Sequence, residues 1–366
     1  MSFTQGLGAT APGAPFSPVT VERRSPGARD VEIEILHCGI CHSDLHDARN
    51  EWGRTTYPLV PGHEIVGRVT AVGAEVGKFA VGDHAGVGCM VDSCQSCEPC
   101  REGQEQFCEE GMTLTYGGTE RQTGRKTAGG YSRSIVVDER FVLRISKDAD
   151  LAATAPLLCA GITTYSPLRY WNVGEGTRVG IVGFGGLGHV GVKIAAALGA
   201  RVTVFSTSPD KADDAIALGA EEVAVSTDPA QMEERLGKLD FILDTVAVSH
   251  DLDQYLRLLR PGGSMVLLGI PEVPHGSPDV RLLLRHRTLS GSLMGGIAET
   301  QEMLDFCAEK DITADVERIA VSDVDDAYDR LARGDVRFRF VIDLSTMPGP
   351  GEVAAVGAES GGSVPV

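Results

Sequence analysis

The segment from Arg178 to Ala200, RVGIVGFGGLGHVGVKIAAALGA, constrains this chain more than any other. A short apolar run, Val179–Val182, enters Gly183, Gly185 and Gly188, and the apolar residues that follow recur at helical spacing. Strand, tight glycine turn and helix open a parallel βαβ unit, and parallel strands need crossover connections and cover on both faces. From about residue 151 the same rhythm continues. Strands at Arg178–Val182, Arg201–Phe205, Phe241–Leu243 and Ser264–Leu268 alternate with helical stretches at Gly188–Leu198, Lys211–Leu218 and near Leu252–Leu259. The expectation is an α/β unit built on a doubly wound parallel sheet.

The glycines have a chemical reading as well. In G-x-G-x-x-G the first allows the turn, the second lets backbone approach a pyrophosphate, and the third lets helix and strand pack closely. The helix N-terminus then offers free N–H groups to the phosphates. This marks Gly183, Gly185, Gly186, Leu187 and Gly188 as a dinucleotide-binding loop. In NAD binders a carboxylate about 20 residues on holds the adenosine ribose. Here the second strand ends in Phe205-Ser206-Thr207-Ser208, with no carboxylate before Asp210. Hydroxyls at 206, 207 and 208 and the nearby Lys211 suit a 2′-phosphate, so NADP(H) is expected over NAD(H). The plainer alternative is a polar loop.

The first half reads differently. Residues 1–30 are rich in Gly, Pro and Ala and look like an arm; Val31–Leu36, Ile65–Val72, Ser134–Val137 and Phe141–Ile145 read as strands in a β-rich, loop-rich unit. A helix near Glu299–Lys310 and a strand at Phe338–Leu344 follow the α/β region, and Ser345–Val366 reads as a flexible end.

Charge and length bound the partners. The 366 residues carry a net charge of −18, against the basic stripe of a nucleic-acid binder and against attraction to anionic membrane. No run of about 20 apolar residues appears, and the N-terminus does not read as a secretion signal. The nine cysteines therefore read as cytoplasmic thiols or metal ligands, not disulfides. Cys94, Cys97, Cys100 and Cys108 can close around one tetrahedral Zn²⁺ with no open position, a structural site. An iron–sulfur cluster is the alternative, although the spacing departs from the bacterial ferredoxin pattern. Elsewhere CGICHSDLH (residues 38–46), Gly62-His63-Glu64 and the isolated Cys159 supply Cys41, His63 and Cys159 as possible ligands of a catalytic zinc, with Glu64 nearby. Each residue alone reads equally well as a packing residue.

Taken together, CGICHSDLH, PGHEIVG, the four-cysteine segment, LLCAGIT, GFGGLGH and GGIAETQEM resemble the zinc-dependent medium-chain alcohol dehydrogenases. The likeness is narrowest to the cinnamyl alcohol dehydrogenases and the bacterial broad-range aldehyde reductases, and it runs from about Val31 to Leu344. It implies a GroES-like β-rich catalytic domain (1–151 and 297–345, with the structural zinc lobe at about 89–110), a Rossmann cofactor domain (152–296) and a tail (346–366). It implies two zinc ions per chain, NADP(H), a small alcohol or aldehyde substrate and a homodimer.

By matching position, the resemblance makes Cys41, His63 and Cys159 the catalytic ligands and Glu64 an exchanging or supporting one. Asp44 would orient His63. Ser43 and His46, the latter near solvent, would relay the proton by way of the cofactor ribose. Thr163 would touch the nicotinamide, Ser206 and Lys211 the adenosine ribose or its phosphate, and His42 and Arg339 the pyrophosphate region. Trp52, Tyr57 and Met294 are expected to line an apolar pocket, and Cys89 and Cys307 to pack. Rival readings are an NAD-dependent polyol or other secondary-alcohol dehydrogenase, a metal-free quinone oxidoreductase of the same superfamily, and a non-catalytic NADP-binding zinc protein.

Overall fold

A computed structural model describes residues 1–349. Its centre is a six-stranded sheet in the order Glu222–Val225, Arg201–Ser206, Arg178–Val182, Leu239–Asp244, Leu259–Leu267, Thr288–Gly291, with every neighbouring pair parallel. Strand order runs outward in both directions from Arg178–Val182, so the carboxyl end of that strand is the switch point where such sheets take ligands. Buried Val179, Ile181, Val202, Val204 and Leu243 carry the apolar runs that a sheet covered on both faces requires.

The second sheet is mixed. Its order is Val316–Ala320, Arg339–Asp343, Asp30–Ile40, Ile65–Val72, His84–Val87, Leu143–Arg144, with Ser134–Asp138 also paired to Asp30–Ile40. The chain therefore leaves the first half, builds the parallel sheet, and returns. Arg339–Asp343 pairs antiparallel with Asp30–Ile40, placing Phe340 opposite Ile40. The parallel-sheet unit is thus inserted between two parts of the mixed sheet, and the return strand brings Arg339 beside the ligand segment 38–46.

Two sequence expectations need correcting. Residues 1–30 are not an arm: Ser2–Gly8 and Ser17–Arg23 form an antiparallel pair. Arg23 anchors it, its guanidinium donating to the carbonyls of Ala128 (2.7 Å), Gly129 (3.1 Å) and Ser134 (2.9 Å) and to Ser132 Oγ (2.8 Å). Burial lowers its pKa to about 10. The helix near Leu252 also ends early, at Leu256, because Leu259 opens a strand that runs to Leu267. The tail expected at 346–366 lies outside the described residues from position 350 onward. Among the described residues, no single helix is long and apolar enough to cross a membrane.

Candidate metal and cofactor site

Cys41 ends the long strand Asp30–Ile40 and caps the short helix His42–Ala48. Its backbone N–H donates to Asp44 Oδ2 at 2.8 Å, and the other oxygen of Asp44 accepts from Gly62 N–H at 3.1 Å and lies 3.2 Å from His63 Nδ1. One buried carboxylate thus ties the cysteine turn to the histidine turn. It fixes the tautomer of His63 with the proton on Nδ1, leaving Nε2 for a metal. Burial works against a charge on His63, but Asp44 outweighs it and holds the imidazole pKa well above its ordinary value.

Cys159 arrives from another element, the start of the helix Ala160–Tyr170. Its Sγ lies 3.9 Å from Cys41 Sγ, and ligand atoms of Cys41, His63, Glu64 and Cys159 all fall within 4.8 Å of one another. A tetrahedral ion with Zn–S bonds of about 2.3 Å separates two sulfurs by about 3.8 Å, so the observed edge suits zinc. Cys159 lends a hydrogen bond to Cys41 and so lowers the Cys41 pKa well below the ordinary thiol value, with Arg339 and His63 assisting; Cys159 is raised in turn.

Glu64 is fully buried. Its Oε1 accepts from Arg339 Nη2 at 2.6 Å, and its Oε2 has no protein partner. Burial raises its pKa to about 8 even though Arg339 opposes the shift. An orphaned carboxylate oxygen among metal-ligand atoms is further support for a metal here.

The glycine loop lies on the other side of Arg339. Gly183 has φ +86°, and a Cβ on Gly188 would lie 2.1 Å from the Gly183 carbonyl, so neither position takes a side chain. A Cβ on Gly185 would meet nothing, which leaves that backbone open. Gly186 packs on Arg339, whose Nε is buried without a partner. Lys211 Nζ donates to the Phe184 carbonyl at 3.3 Å, and Ser206 Oγ bonds the Ser208 backbone N–H and carbonyl, both at 3.1 Å. An open glycine backbone, an unpaired Arg339 N–H and an ammonium at the loop's edge fit a phosphorylated dinucleotide. Thr207 is exposed beside Ser206, and Thr163 lies in the first turn after Cys159.

The four cysteines at 94, 97, 100 and 108 form a second group of ligand atoms within 4.8 Å. Cys94 and Cys100 are again 3.9 Å apart, and backbone N–H groups of Ser96 and Cys97 point at Cys94 Sγ, lowering its pKa to about 6. This enclosure fits one ion and is too tight for a cluster of several irons.

Other positions depart from expectation. His46 does not open to solvent directly. Its Nδ1 pairs with Glu51, its Nε2 is buried without a partner, and Trp52 covers it at 5.0 Å between ring centroids. His42 is exposed on the same helix. The Trp52 ring also lies 4.6 Å from the Arg54 guanidinium, and the Tyr57 hydroxyl donates to the Ala48 carbonyl at 2.8 Å. A small apolar cavity of about 10 Å³ near Cys159 is lined by Cys89, Leu158, Ile162, Met294, Ile297 and Thr300. Met294, one of the three residues expected to line the substrate pocket, is among them. Cys89 does more than pack: its thiol donates to the Leu158 carbonyl at 3.9 Å, next to Cys159, whose thiol lowers the Cys89 pKa. Nothing in the local spacing of Cys89 points across 70 residues to Cys159. The partnership of Glu51 with His46, five residues apart, was the more readable omission.

Comparison with known proteins agrees with this layout. Residues 27–147 match the alcohol dehydrogenase GroES-like domain model, and residues 186–309 match the zinc-binding dehydrogenase model. Aldehyde reductase YahK of Escherichia coli is 54% identical over 94% of this chain and 99% of its own length. NADP-dependent alcohol dehydrogenase C of Mycobacterium bovis is 52% identical over 95% of this chain and all of its own. The cinnamyl alcohol dehydrogenase structure from Sorghum bicolor superposes with TM-score 0.91 at 44% identity, covering 94% and 98% of the two chains.

Proposed function

The chain belongs to the zinc-dependent medium-chain alcohol dehydrogenase family, and from that premise we propose that it interconverts primary alcohols and aldehydes with NADP(H), acting on aromatic and medium aliphatic substrates. The carrying observation is the convergence of Cys41, His63, Glu64 and Cys159 beside an open glycine turn, with Arg339 touching both. The cofactors are zinc, one ion at the catalytic and one at the structural cysteine site, and NADP(H). When bound, zinc polarises the substrate oxygen as a Lewis acid and the nicotinamide carries the hydride.

The chain's own residues do the rest. Cys41 and Cys159 as thiolates and His63 as a neutral imidazole would hold the metal, with Asp44 keeping His63 in the tautomer that presents Nε2. Ser43 and His46, three residues apart on one helix, lie on neighbouring positions of its surface. The Ser43 hydroxyl passes the proton at the substrate oxygen, and His46 Nε2 takes or returns it while Glu51 steadies the imidazolium. Thr163 borders the nicotinamide. Ser206, Thr207, Ser208 and Lys211 hold the 2′-phosphate end. A homodimer in the cytoplasm completes the reading.

Consumption of NADPH in the presence of cinnamaldehyde or benzaldehyde is the direct test; no consumption by zinc-replete protein would refute the assignment. Ser43→Ala should lower kcat by roughly 100-fold with zinc content unchanged, and an unaffected kcat would remove Ser43 from the proton route. Ser206→Asp sets a carboxylate against the 2′-phosphate. It should cut kcat/KM for NADPH by roughly 100-fold while that for NADH rises; steady-state kinetics with both cofactors decide it.

A further inference from the structure

The helix Ile297–Glu309 begins at Gly296, a residue with no side chain to cap it. None could be fitted, since a Cβ there would lie 1.9 Å from the Gly103 carbonyl. The missing acceptor comes from 192 residues away. Glu105 Oε2, in the turn that leads into Cys108, accepts the Ile297 N–H at 3.1 Å. A carboxylate there satisfies an orphan donor and sits at the positive end of a 13-residue helix. The same first turn supplies Ile297 and Thr300 to the cavity beside Cys159, with Met294 immediately ahead of it.

We propose that Glu105 is a positioning residue for substrate selection. The four-cysteine lobe, through this one carboxylate, fixes the first turn of the helix and so the width of the apolar pocket next to the catalytic metal site. The lobe thereby reaches the substrate without touching it. The Gly103 carbonyl leaves no room for a side chain at Gly296, so the lobe and the helix start lie close together and the carboxylate ties them. The proposal rests on the proposed function and on reading that cavity, about 10 Å³, as the innermost end of the aldehyde's seat.

The test compares kcat/KM for cinnamaldehyde with that for acetaldehyde in Glu105→Ala, Glu105→Gln and Met294→Ala, each carried in the full chain with bound zinc counted. Glu105→Ala should change the ratio about fivefold or more, chiefly through KM for cinnamaldehyde. Two zinc ions per chain and the Kd for NADPH should stay as in the parent. Glu105→Gln keeps an acceptor oxygen and should restore the parent ratio to within about twofold. An unchanged ratio in Glu105→Ala, or one that moves only with loss of zinc, overturns the role of Glu105 provided Met294→Ala shifts the ratio. If Met294→Ala also leaves it unmoved, the pocket itself is misplaced and the inference falls with it.

Discussion

Cys41→Ser is expected to abolish turnover while the fold survives. The substitution removes one of the two thiols whose 3.9 Å separation forms an edge of the ligand set, and a neutral hydroxyl is a far poorer zinc ligand than a thiolate. The local structure does not depend on the sulfur. The Asp44 carboxylate holds the turn through the Cys41 backbone N–H, and serine is nearly the same size. Loss of Lewis-acid polarisation is worth several kcal/mol, on the order of a 1000-fold or greater fall in kcat. Zinc analysis should drop from two ions per chain to one, with near-ultraviolet circular dichroism and Tm close to the parent's. A variant that keeps turning over aldehyde would show that Cys41 does not hold the catalytic metal.

Arg339→Met should be the costliest single change to the fold among the site residues. Arg339 is 1% exposed and Glu64 is fully buried, so the guanidinium is the immediate counter-charge of a carboxylate that has no water to fall back on. Above pH 8, where Glu64 is ionised, removing one partner of this buried ion pair costs about 3–5 kcal/mol. Urea unfolding should show that loss, and NADPH should bind more weakly because the unpaired Nε beside Gly186 goes with the side chain. Adding Glu64→Gln should recover part of the stability, since the stranded charge is then gone, and should recover none of the NADPH affinity. Equal recovery of both would mean that Arg339 acts only through Glu64.

The parts of this molecule that were readable from sequence are those written in short windows. Gly183, Gly185 and Gly188 sit on one turn, and Cys94 to Cys108 span fifteen positions, so spacing alone carries their geometry. The doubly wound sheet was readable for the same reason, because each βα step is local. What remained hidden is what the return of the chain creates. Arg339 meets Glu64 across 275 positions, Glu105 meets Ile297 across 192, and Cys89 reaches the Leu158 carbonyl beside Cys159 across 69. Resemblance to a family placed Arg339 near the pyrophosphate but gave no hint of its ion pair. The N-terminal hairpin was missed on composition: Gly and Pro drew attention away from Val19-Thr20-Val21, which alternates as a strand should. Trp52 and Tyr57 follow the ligand segment, but their partners were not legible there: the Trp52 ring lies against His46, and the Tyr57 hydroxyl donates to the Ala48 carbonyl.

The late return strand also sets an order of events during synthesis. Arg339–Asp343 fills an inner position of the mixed sheet, between Val316–Ala320 and Asp30–Ile40, yet it is among the last described segments to leave the ribosome. The parallel sheet has all six of its strands by residue 291 and can close while the nascent chain is still growing. Over that interval residues 37–40 present an unpaired edge, and the Glu64 carboxylate has no guanidinium to meet it. The catalytic half is thus assembled last although it is made first, and any chain that stops short of residue 339 carries a finished cofactor unit attached to an open sheet.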